Sequence, residues 1–110
     1  MYGAFSYCGS LLEISIPDTV TTLMGRVFEG CHKLEKVKLS NSLARIGDSA
    51  FMECDRLKTL TVPKSVTEIG GNAFRACARL KQVILENKNI NIAKNASSYS
   101  ALQFVYAQDS

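Results

Sequence analysis

One spacing limits what this chain can fold into: apolar side chains return every 23 residues. Phe5, Phe28, Phe51 and Phe74 fall in one column, and Cys8, Cys31, Cys54 and Cys77 in another. Leu11, Leu34, Leu57 and Leu80 follow, then Ile14, Val37, Leu60 and Val83, then Ile16, Leu39, Val62 and Leu85. Val20, Leu43 and Val66, with Leu23, Ile46 and Ile69, close the unit. A fixed period in the twenties marks a solenoid, in which each coil covers the apolar face of its neighbour. No coil can bury that face alone, so the fold rests on stacking.

The fullest copy runs from Ala50 to Gly70. Within it, Leu60 and Val62 alternate with Thr59 and Thr61, the period of a half-buried strand, so residues 57–62 read as a strand. Pro63 ends it, as Pro17 ends its first-repeat counterpart, because proline cannot donate to a sheet ladder. Val66 and Ile69 then place two apolar side chains on the opposite wall, a second and very short strand. Gly25, Gly47 and Gly70-Gly71 turn the chain. Ala73, Phe74, Cys77 and Leu80 lie about one helical turn apart, which predicts a single turn of α- or 3-10 helix at 73–80. The predicted fold is an α/β repeat: a right-handed solenoid with a concave parallel β-sheet, short convex strands and single helical turns between them.

Repeats are expected at residues 4–26, 27–49, 50–72 and 73–95, with a degenerate repeat or cap at 96–110, all in one solenoid. The fourth unit loses its pattern after Leu85. The Phe position then falls on Ser97 or, with a one-residue deletion, on Ala96. That deletion puts Tyr99 in the Cys position and lets Leu102, Val105 and Ala107 resume the strand pattern, with a last strand over 102–106. The tail Gln108-Asp109-Ser110 is polar. Met1-Tyr2-Gly3-Ala4-Phe5 opens inside a repeat, which points to a piece of a longer array with an open N-terminal coil.

Composition excludes some classes. With 46% hydrophobic and 21% charged residues, the chain is too apolar for disorder. A net charge of +3 allows acidic partners but falls short of the clustered basic excess of a nucleic-acid binder. No apolar run reaches the roughly 18–20 residues of a membrane span.

The pattern A-F-x-x-C-x-x-L-x-x-[IVL]-x-[IVL]-P-x-x-V-x-x-I-G resembles the BspA-like leucine-rich repeat family. Its units are Ala4-Phe5-Ser6-Tyr7-Cys8, Val27-Phe28-Glu29-Gly30-Cys31, Ala50-Phe51-Met52-Glu53-Cys54 and Ala73-Phe74-Arg75-Ala76-Cys77, each with its following strand. The resemblance covers residues 4 to about 90. It departs at Ser40 (for proline), Val27 (for alanine) and Met24 (for glycine), all local turn changes. Members of that family are mostly surface or secreted proteins of bacteria and some protozoan parasites, and the resemblance implies a module of a bacterial cell-surface or secreted protein of the adhesion type.

The candidate sites follow from what the columns leave variable. The four cysteines have no C-x-x-C spacing, which excludes a zinc knuckle. As parallel inward side chains they read as free thiols packed as small apolar groups, with all four expected to react only after denaturation. A disulfide or an inward metal ladder is the alternative. His32, the only histidine, reads as a surface residue. Gly70-Gly71 lacks the lysine and spacing of a phosphate loop. No acid, base and nucleophile converge, so neither an enzyme nor a cofactor is expected. Asn95-Ala96-Ser97 matches a glycosylation acceptor, a short pattern that recurs by chance.

The outward strand positions are where a partner would be read. One column is Glu13, Lys36, Thr59 and Gln82, and the next is Ser15, Lys38, Thr61 and Ile84. Beside them run Ser10, Lys33, Arg56 and Arg79, and Leu12, Glu35, Lys58 and Lys81. Stacked at about 5 Å, Lys33, Arg56, Lys58, Arg79 and Lys81 form a basic band along one edge of the sheet. The band reads either as a ridge for an acidic protein or polysaccharide or as a solvated face offset by Glu53 and Asp55. Three readings follow. The first is a non-catalytic protein- or glycan-binding module, extracellular or at the cell surface, with end-to-end self-association through the open coil. The others are structural spacer repeats, and a regulatory domain of an intracellular protein, which free thiols would suit.

Overall fold

The computed structural model describes residues 3–107, so Met1 and the polar tail 108–110 lie outside the described residues. The chain is a parallel-strand β-solenoid of about four turns. Its strands are β1 (Glu13–Ser15), β2 (Thr22–Leu23), β3 (Lys36–Lys38), β4 (Arg45–Ile46), β5 (Thr59–Val62), β6 (Glu68–Ile69), β7 (Gln82–Leu85), β8 (Asn91–Ile92) and β9 (Gln103–Tyr106). The odd-numbered strands form a long-strand face and the even-numbered ones a short-strand face. The short-strand face is one sheet, β2-β4-β6-β8, while the long-strand face splits into β1-β3 and β5-β7-β9. Each pairing through β8 is shifted by 23 residues, as in Ile14 beside Val37 and Leu60 beside Val83.

The predicted helical turns are not there. Among the described residues no helix occurs, and the wall joining the faces is built of alternating bonds. Met52 N donates to Ser49 O (3.2 Å) and Cys54 N to Phe51 O (3.2 Å), closing tight turns. Between them, Phe51 N donates to Ala73 O and Glu53 N to Arg75 O, both at 2.8 Å, in the next coil. The physical reason lies in the backbone. Left-handed φ values recur at Arg26, Ser49 and Asn72, and four residues later at Gly30, Glu53 and Ala76. A helix needs consecutive right-handed residues, so every second N–H is freed to bond to the neighbouring coil. Gly30 admits no side chain because the Tyr7 ring lies where a Cβ would point.

The interior follows the columns. Phe5, Phe28, Phe51 and Phe74 stack at 5.6, 5.4 and 5.6 Å between centroids. Leu34, Leu57, Val62 and Leu85 are fully buried beside them. Ser40, standing where Pro63 stands in the next repeat, is buried and donates its hydroxyl to Val20 O at 2.9 Å.

The C-terminal unit departs from the expected one-residue deletion. Ala96 follows Ala73 in the wall, since Phe74 N donates to Ala96 O as Phe51 N does to Ala73 O. The Phe position is therefore Ser97, and the Cys position is Ser100 rather than Tyr99, whose side chain is exposed. In β9 the register is Val83 beside Phe104 and Leu85 beside Tyr106, so two residues are missing before the strand. Phe104, not Val105, turns inward. Its ring meets Phe74 edge-on at 6.2 Å and 63°, ending the stack where Ser97 carries no ring. Edge-to-face packing suits a terminal ring, because it needs no further neighbour beyond it.

Candidate functional site

The alternation of β3, β5 and β7 sends one set of side chains inward and the other out. Thr59 and Thr61 are exposed while Leu60 and Val62 are buried. The same holds for Lys36 and Lys38 on either side of Val37, and for Glu13 and Ser15 in β1. Register stacks them as expected: Glu13 on Lys36, Ser15 on Lys38, Thr59 on Gln82 and Thr61 on Ile84, which is half-buried. β9 extends both columns with Gln103 and Val105. These two escaped the sequence reading because the two missing residues break the period just before them.

Three shallow recesses divide this surface. Lys58, Arg79 and Lys81 border one of about 280 Å3 with Thr59 and Ala78. Lys36, Lys38, Thr59 and Thr61 border another of about 410 Å3, rimmed by Glu35, Asn41 and Glu86. Glu13, Ser15, Lys36 and Lys38 border a third of about 340 Å3. Lys33 and Arg56 are exposed on the wall beside the strands and border none of these three.

The 410 Å3 recess lies over a gap in the sheet. No ladder pairing joins β3 to β5. Next door, Glu35 N donates to Leu12 O at 2.7 Å and Lys81 N to Lys58 O at 2.9 Å, but Lys58 N has no such bond to Glu35 O. At the far end, Glu86 N donates to Val62 O and Ala107 N to Leu85 O. The corresponding residue between β3 and β5 is Pro63, which has no N–H to give.

The charges separate by face. On the short-strand face Arg45 Nε meets Glu68 Oε1 at 2.7 Å, and its Nη2 lies 3.6 Å from Asp48. On the long-strand side, none of Lys33, Lys36, Lys38, Arg56, Lys58, Arg79 and Lys81 forms an ion pair among the described residues. Asp55, expected to offset the band, is instead bonded to His32 Nδ1 at 2.7 Å. His32 is exposed, as expected.

The thiols belong to the scaffold, and they do more than fill space. Cys31 Sγ donates to Phe5 O (3.1 Å), Cys54 Sγ to Phe28 O (3.2 Å) and Cys77 Sγ to Phe51 O (3.0 Å). Ser100 Oγ repeats the bond to Phe74 O at 2.6 Å. All four cysteines are free, and Cys8, in the first turn, is only partly buried. Burial pushes the Cys31 and Cys54 thiols up from the ordinary value, and that of Cys77 to about 12. A thiol is nucleophilic only as thiolate, so these three are inert in the folded protein.

The first turn leaves an apolar recess of about 500 Å3 at the N-terminal end, bordered by Phe5, Ile14, Ile16, Val20 and Leu23. No helix among the described residues is long and apolar enough to cross a membrane.

Comparison with known proteins places these features. Residues 2–110 match the sequence profile described as a BspA type leucine rich repeat region (6 copies). A leucine-rich repeat protein from Bacteroides ovatus superposes with a TM-score of 0.83 at 30% identity, over 94% of this chain and 27% of that one. A leucine rich cell surface protein from Faecalibacterium prausnitzii gives 0.89 at 26% identity, over 98% and 29%. A leucine-rich repeat protein of T. pallidum gives 0.57 at 31% identity, over 76% and 50%. The chain thus spans less than a third of the first two structures. No curated protein matches it by sequence.

Proposed function

Because this chain belongs to the BspA-type leucine-rich repeat family, we propose that it is a non-catalytic binding module of a bacterial cell-surface protein. The long-strand face is taken as the concave side of a right-handed coil, and its ligand is an acidic protein or polysaccharide. One observation carries this reading: among the described residues the cations of the long-strand side form no ion pair, whereas Arg45 on the opposite face has two carboxylate partners. Like charges stacked at the spacing of neighbouring strands repel. A row of them held in no ion pair is costly to the fold and useful to a partner.

The surface location draws support from the F. prausnitzii cell surface protein. The intracellular reading rested on free thiols, and it loses weight because three of them are buried donors that need no reducing compartment. The test is an array of acidic peptides and polysaccharides probed with wild type and with a variant carrying Lys33, Arg56, Arg79 and Lys81 all changed to Ser. Weaker binding across the bound set is expected for the variant. An unchanged set would reduce the band to solubility chemistry.

A further inference from the structure

We propose that the recess between β3 and β5 is a docking site for an extended acidic peptide segment with carboxylates at alternate positions. The inference rests on the binding-module reading and narrows its ligand.

Four features converge on that ligand. First, Lys36 and Lys38 stand two residues apart on one face of β3, both exposed and neither in an ion pair among the described residues. Their separation along the strand is about 6.6 Å, which is also the spacing of alternate side chains on an extended peptide. Second, the sheet below them is open. β3 and β5 share no ladder, and Lys58 N has no cross-coil acceptor where Lys81 N has one. Glu35 O, at the rim of this recess, thereby lacks the main-chain donor that Lys58 O has in Lys81 N, and can accept from a peptide N–H. Third, the rim is acidic: Glu35 and Glu86 border the same recess as the two lysines. Carboxylates at both ends of a cationic centre accept a short acidic core and repel a long polyanion. Fourth, among the described residues the exposed aromatic side chains are Tyr7, Tyr99 and Tyr106, and none lies in the outward columns of Lys36 or Lys38. A sugar ring therefore finds no aromatic platform there, which favours peptide over glycan.

Lys36 and Lys38 thus act apart from the basic band. The band, led by Lys58, Arg79 and Lys81, borders a different recess and supplies long-range attraction. The pair reads position.

The probe is the fluorescein-labelled peptide Gly-Ser-Asp-Thr-Asp-Ser-Gly, followed by anisotropy against the full chain, with polygalacturonate in parallel. We expect the peptide with Asn in place of both Asp residues to bind about ten-fold more weakly, and wild-type peptide to lose a similar factor on the K36S/K38S protein. The Lys33, Arg56, Arg79 and Lys81 to Ser variant should weaken it by only about two- to three-fold, mostly through association rate. All substituted positions are exposed, and coincident thermal unfolding of the three proteins checks that the fold is intact. Binding lost in the four-fold variant but kept in K36S/K38S would overturn the recess while leaving the basic-band function standing. Polygalacturonate binding without peptide binding would overturn the peptide assignment in favour of a glycan. If the peptide does not bind wild type at all, the recess is not an acidic-peptide site.

Discussion

The turn wall and the long-strand face are built on the same 23-residue register, yet they treat it in opposite ways. In the wall, the coils from Phe5 to Phe74 repeat the same contact: a Phe ring on a Phe ring, and a thiol on the Phe carbonyl one coil earlier. On the face, backbone register holds within β1-β3 and within β5-β7, while the outward residues change from Glu13 to Lys36 and from Thr59 to Gln82. The difference shows where freedom lies in a solenoid. A side chain that touches the next coil must suit two neighbours at once, so its type is fixed. A side chain that touches water answers only to a partner.

The most severe way to probe that contrast is to remove a ring. Phe51 is fully buried between Phe28 and Phe74, so Phe51→Ala should cost about 3–5 kcal/mol in denaturant unfolding. Thr59→Ser, on the face, should stay within about 0.5 kcal/mol. Comparable losses would erase the distinction.

A second probe is pH. Burial holds the Cys77 thiol neutral and raises it to about 12, so the folded state favours the protonated form. The sign follows from linkage: this contribution is whole below about pH 9, where the unfolded thiol is also protonated, and is lost as pH climbs towards 12. The loss reaches about 4 kcal/mol at the upper end. Cys77→Ser, which has no ionisable group there, should show a flatter stability profile over the same window. Parallel profiles would mean the thiol is not buried as described.

A smaller effect separates donor from filler at the same site. Ser100 already plays the Cys role in the last unit, bonded to Phe74 O. Cys77→Ser should therefore keep the bond to Phe51 O, whereas Cys77→Val leaves that carbonyl with only its bond from Cys54 N, at a cost of about 0.5–1.5 kcal/mol. Val equal to or better than Ser would return the thiols to apolar filler. Native thiol titration sharpens this further: Cys31, Cys54 and Cys77 stay silent until unfolding, while the partly buried Cys8 reacts first.

Much of this fold is legible in the spacing of Phe, Cys, Leu and Val, because those columns are the cross-coil contacts themselves. The turns are not. Ala73, Phe74, Cys77 and Leu80 have helical spacing, but the sign of φ is carried by Ser49, Glu53, Asn72 and Ala76, where no glycine announces a left-handed residue. The last unit misled for a related reason: an apolar column does not reveal that Ser100 inherits a hydrogen bond, or that Phe104 supplies a ring from another position. The outward columns of the candidate surface are readable by alternation. What alternation does not contain is the missing ladder between β3 and β5, or the fact that Asp55 turns to His32 and not to the basic band.

The division between scaffold and surface is tested most directly by measuring acidic-ligand affinity and unfolding midpoint together, for two variants. One carries Lys33, Arg56, Arg79 and Lys81 changed to Ser; the other carries Arg45→Ser on the short-strand face. The first should bind the acidic ligands of the array more weakly, with its midpoint unchanged or slightly raised as like-charge repulsion is relieved. The second should keep the ligand and give up less than about 1 kcal/mol of stability, because its pairs are solvent-exposed. Equal weakening by both would contradict the account, since binding would then follow net charge and not the long-strand side.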